Sequence, residues 1–166
     1  MKKVFKLAAL FVGATVCYCG LATLFSYWGI NINLMLVFTA AFCTVAPLEL
    51  GYPMAFVCGL FLDVFSVKLF GNNAFSFTVA ACLVYSLRDR FDFTGVLPQV
   101  MVVFVLTCMV GVMNSWLVMR FTASSMWPGI GNLLGGAMIG ALLAPLVFTL
   151  VRRVWVGKSS EERKGV

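Results

Sequence analysis

The chain has 166 residues, of which 62% are hydrophobic and only 11% charged. A soluble domain carries about 25% charged residues, so this composition cannot make a water-facing surface and implies a single integral membrane domain. The net charge of +6 does not point to nucleic acid, because the basic residues sit at the chain ends and between apolar runs, as membrane orientation requires. The absence of histidine excludes histidine general bases, metal ligands and haem ligation.

Lys2, Lys3 and Lys6 flank a first apolar run, 4–28, that closes on Tyr27 and Trp28. The run is longer than the apolar part of a signal peptide and has no small-residue cleavage site. Cys17 and Cys19 follow Val16 and Tyr18, not the small residue of a lipoprotein site, so the run is read as an uncleaved first span. The six cysteines (17, 19, 43, 58, 82 and 108) lie in apolar runs without a C-x-x-C pair, which makes them packing residues. A polar turn, 29–33, leads to span two, 34–48.

Pro47 and Pro53 bracket Glu49 and Gly51 and are expected to break the helix before span three, 53–67. At about 15 residues, or roughly 22 Å, spans two and three are short for a hydrocarbon core of about 30 Å. Either they begin in the interfacial zone, or they are packed inside the bundle and lipid does not set their length. A turn at 68–73 precedes span four, 74–87, also short, which ends in the charged cluster Arg88, Asp89, Arg90 and Asp92. Span five, 96–119, carries Asn114, a candidate for interhelical hydrogen bonding. A loop with Trp127 and Pro128 follows, then span six, 132–151. Residues 1–156 are thus read as one transmembrane domain. The tail, 157–166, is basic and expected to be disordered.

The expected fold is all-α, a bundle of six transmembrane helices with both termini in the cytoplasm. That topology places ten of the 12 lysines and arginines inside, leaving Lys68 and Arg120 outside, which fits the positive-inside rule. Four spans would fit it too if spans two and three formed one re-entrant unit and another pair did not cross, but six is the preferred count.

Two sets of small residues recur every fourth position. Gly51, Ala55, Gly59 and Asp63 form one ridge on a helix, and Gly136, Gly140 and Ala144 form another; such ridges let helices approach closely in a membrane. They are the candidate packing or partner surfaces. An acid within a span is a functional candidate by default. Asp63 has three readings: a hydrogen-bonded helix end involving Ser66 and the 71–73 turn, a partner contact, or proton or ligand handling. Glu49 reads as a solvated or helix-terminal acid. Arg88, Arg90, Arg152 and Arg153 form an inside basic surface suited to a cytoplasmic partner or anionic membrane lipid. No nucleophile motif or phosphate loop is present. The two acids near the core fall on opposite sides, so no catalytic, cofactor or metal site is assigned.

The segment Gly59-Leu-Phe-Leu-Asp63-Val-Phe-Ser66, followed by Gly71, Ala74 and a short helix ending in Arg88-Asp-Arg90, resembles the core of the MreD family of bacterial rod-shape-determining membrane proteins. Size, span number, the asparagine-containing turn before span two and the basic terminus fit as well. The resemblance covers 31–153. It implies a non-catalytic inner-membrane scaffold of the cell-elongation machinery. The implied partners are MreC and, directly or through it, MreB, RodA and a class B penicillin-binding transpeptidase. The family is also similar in architecture to the substrate-binding subunits of energy-coupling-factor vitamin transporters, which supplies the alternative function.

Overall fold

The computed structural model describes residues 11–16, 18–20, 33–65, 70–88, 90, 93, 95–122 and 130–156, and among the described residues every regular element is a helix. In chain order these are α1 (Phe11–Gly20), α2 (Leu34–Val45), α3 (Leu48–Phe65), α4 (Asn72–Arg88), α5 (Val96–Thr122) and α6 (Ile130–Val156).

The centre of the bundle is α2. Every residue from Leu34 to Cys43 is buried, because α3, α4, α5 and α6 all pack against it. A helix apolar all round has no polar face to offer and belongs inside. The one hydroxyl on its buried stretch, Thr39, donates to the Met35 carbonyl at 2.8 Å. Asn33 caps its start, with Oδ1 accepting from the Leu36 N–H at 3.4 Å. With 12 residues it is about 18 Å long, well short of a hydrocarbon core. Its length is set by protein on all sides, the second of the two explanations that its shortness allowed.

The helix boundaries differ from the expected ones where prolines were read as breaks. α3 starts at Leu48, not at Pro53, and Pro53 lies inside it. The Pro47 carbonyl opens the helix by accepting from the N–H groups of Leu50 at 3.1 Å and Gly51 at 3.0 Å. Pro53 then deprives only the Glu49 carbonyl of its partner. Both residues are exposed, so that carbonyl faces outward and the omission costs little. Pro145 likewise sits within α6, which starts at Ile130 and runs on to Val156, past the expected end at 151. Between α3 and α4 the chain turns through Gly71 with φ +90°, a left-handed conformation that glycine adopts without strain.

Three stretches are long and apolar enough to cross a membrane: Leu48–Phe65, Val96–Phe121 and Leu133–Trp155. α1 and α2 are shorter apolar helices, and α4 has 17 residues. The charged side chains divide between two ends. Arg88 at the end of α4 reaches the last turn of α2, and Trp155 at the end of α6 stacks edge-on against Phe42 of that turn with ring centroids 5.3 Å apart. Glu49, Arg88, Arg152 and Arg153 therefore share one end. Asp63, the Gly71 turn and Asn114 share the other, with Arg120 beyond them. Lys68, Asp89, Asp92, the loop at 123–129 and the tail lie outside the described residues.

Candidate functional site

Asp63 is 2% exposed and stands on the last turn of α3, facing the start of α4. Its Oδ1 accepts from the Asn73 backbone N–H and from Asn73 Nδ2, both at 3.0 Å. Its Oδ2 accepts from the Ala74 N–H at 3.0 Å. The carboxylate thus caps α4 from a neighbouring helix. It satisfies donors that no intrahelical carbonyl can reach and lies at the positive end of the helix dipole. Of the three readings of Asp63, this is the hydrogen-bonded helix end at the 71–73 turn.

Two further links extend the network to α5. Asn114 donates from Nδ2 to Asn73 Oδ1 at 2.8 Å, and Ser76 Oγ donates to Asn114 Oδ1 at 2.5 Å. Three helices are joined by one chain of polar side chains: Asp63, Asn73, Asn114 and Ser76. Asn73 belongs to the 71–73 turn named in one reading of Asp63, whereas Ser76 was not singled out from the sequence. The signal that exposes it is its position in the first turn and a half of a helix that begins opposite an intramembrane acid.

The small residues of α3 set how close α4 can come. Gly51, Ala55 and Gly59 are all buried. A Cβ on Gly59 would stand 2.4 Å from the Ala74 Cα and 2.7 Å from the Asn73 carbonyl oxygen. One on Gly51 would meet the Tyr85 hydroxyl. Gly59 therefore brings α3 against the α4 backbone at the point where Asp63 caps it. Ser66 lies outside the described residues.

At the opposite end of the same helix pair, Tyr85 Oη donates to the carbonyls of Ala46 at 3.3 Å and Pro47 at 3.2 Å. Arg88 Nη1 donates to the Ala46 carbonyl at 2.8 Å and, more weakly, to Cys43 at 3.5 Å. These side chains close the carbonyl end of α2, where Pro47 prevents the helix from continuing. Arg88 is thus a helix-closing residue as well as a surface cation. The spacing of Tyr85 and Arg88, three apart on one helix face, is the sequence signal for this clamp. Arg90, Arg152 and Arg153 are exposed.

On α6, Gly136, Gly140 and Ala144 are buried, and a Cβ on Gly140 would rest 3.5 Å from Val37 and 3.9 Å from the Thr107 hydroxyl. This groove receives α2 and α5. Gly111 of α5 plays the matching part against Leu133, a contact that its isolated position in the sequence did not suggest. Among the described residues no group of three or more acids and cysteines is placed to hold a metal ion.

The family model described as rod shape-determining protein MreD matches residues 2–154 of the chain. No curated protein and no solved structure matches it.

Proposed function

Because this chain belongs to the MreD family of rod shape-determining membrane proteins, we propose that it is a non-catalytic scaffold in the bacterial inner membrane. In this reading it has six spans with both termini in the cytoplasm, binds MreC, and links MreB to peptidoglycan synthesis by RodA and a class B penicillin-binding transpeptidase. The family match over 2–154 carries the reading.

The geometry supports it in two ways. The intramembrane acid already accepts three N–H donors, so its chemistry is absorbed in fixing the α3–α4 pair. The two small-residue ridges are closed by the protein's own helices, which makes a rigid frame whose outward faces are left for partners. On this view Gly51, Ala55, Gly59, Asp63, Gly136, Gly140 and Ala144 shape those faces from within. Arg88, Arg90, Arg152 and Arg153 mark the cytoplasmic end.

The test is purification of the tagged protein from its native membrane in mild detergent, with mass spectrometry of what accompanies it. Recovery of MreC, RodA or the transpeptidase is the expected result. Recovery of a paired ATPase and a membrane coupling subunit in their place would make the protein a vitamin-capture subunit.

A further inference from the structure

The outward side of α6 combines two features that belong to one kind of ligand. Met138, Leu142, Leu146, Leu150 and Val154 follow one another at intervals of four, each between 45% and 76% exposed. Each step of four turns about 40° around the axis, so the row winds about the helix, and its last three members, Leu146, Leu150 and Val154, share one side over about 12 Å. That covers most of the roughly 15 Å depth of one leaflet's hydrocarbon, half of a core of about 30 Å. The ridge ends at Arg152 and Arg153, both exposed.

Arg88 is fixed at the same end. Its Nη1 is held by the α2 carbonyls and α4 does not touch α6, so Arg88 closes α2 and the cations beside the ridge are Arg152 and Arg153. Trp155 lies in this layer against Phe42, where tryptophan marks the membrane–water interface. Among the described residues no acid forms an ion pair with Arg88, Arg152 or Arg153. Guanidinium groups pair with phosphate through two parallel hydrogen bonds, and an apolar ridge running from them into the bilayer matches an acyl chain.

We propose that Arg152 and Arg153 bind the headgroup of an anionic phospholipid whose acyl chain lies along Val154, Leu150 and Leu146 of α6. The proposal rests on the chain's being a membrane protein with its arginine end in the headgroup layer, and is independent of which proteins the scaffold binds. An acidic protein at the same end would use the arginines but not the ridge.

Native mass spectrometry of the full chain in detergent separates the two. Added phosphatidylglycerol and phosphatidylcholine with identical acyl chains are the probes, with soluble poly-glutamate as a competitor lacking any acyl chain. Phosphatidylglycerol is expected to be retained and phosphatidylcholine lost. Each arginine near the surface contributes about a fivefold factor, so R152Q/R153Q should weaken retention by roughly 25-fold at unchanged melting temperature. R120Q, at the other end, should change nothing. Equal retention of the two lipids, full retention by R152Q/R153Q, or displacement of phosphatidylglycerol by poly-glutamate would overturn the proposal.

Discussion

Asp63 and Gly59 act as one unit, four residues apart on α3 and both directed at the first residues of α4. The glycine permits the approach and the carboxylate rewards it by accepting three N–H donors. Asp63→Asn should keep an acceptor at Oδ1 but present an amide N–H₂ to a backbone N–H if it sits in the same orientation. The loss should be about 1–3 kcal/mol, the usual consequence of an unmatched buried polar group. Gly59→Ala places a methyl group against backbone that cannot swing aside, so the helices must separate, at about 1–3 kcal/mol or more. Gly131→Ala is the control: nothing stands within 4 Å of its Cβ position, and a helical alanine is favoured over glycine by up to about 1 kcal/mol. Thermal unfolding in detergent should therefore order the variants as Gly131→Ala at or above the parent, with Asp63→Asn and Gly59→Ala clearly below it. A Gly59→Ala protein as stable as the parent would remove the close approach from the account.

At the level of elements, the polar chain from Asp63 to Ser76 joins α3, α4 and α5 where apolar packing alone would leave them free to slide. Interhelical hydrogen bonds in membranes are worth about 0.6–2 kcal/mol, enough to fix register but not to drive folding. A double-mutant cycle with Ser76→Ala and Asn114→Ala should give a coupling energy of about 0.6 kcal/mol and no more than about 1.7. Zero coupling would mean that the two side chains do not share a bond in the folded protein. This is also where the sequence was readable in part. The four-residue spacing exposed both small-residue ridges, and Asn114 stood out as a polar residue in an apolar run. The 71–73 turn was legible as a partner of Asp63, but Ser76 and the link from Asn73 to Asn114 did not stand out, because their members lie about 40 residues apart on different helices. Pro47 separates α2 from α3 as expected, but Pro53 misled for a physical reason. Pro53 falls near the start of α3 on an exposed face, where losing one carbonyl partner is tolerated, and a rule written for buried helix interiors places the boundary too late.

For the whole molecule, the division of charge between the ends is a statement about orientation, and the structure makes it stricter than a count along the sequence. Arg88 and Trp155 both close on the last turn of α2, so Glu49, Arg88, Arg152 and Arg153 cannot be assigned to different sides of a membrane. α5 leads from this end to Arg120, and α6 leads back. Each of those helices is long and apolar enough for a full crossing, whereas α2, enclosed by its neighbours, needs no lipid-matched length at all. The proposed orientation, with the arginine-rich end in the cytoplasm and Arg120 outside, follows from applying the positive-inside rule to these two ends. Alkaline phosphatase, active only after export, should be active when fused after residue 122 and inactive when fused after residue 90. A C-terminal green fluorescent protein, which matures in the cytoplasm, should fluoresce. The opposite pattern at all three points would show that the arginine end faces outward and that charge does not set the orientation of this bundle. A mixed pattern, active after both 90 and 122, would mean that α5 does not cross, against its length and composition.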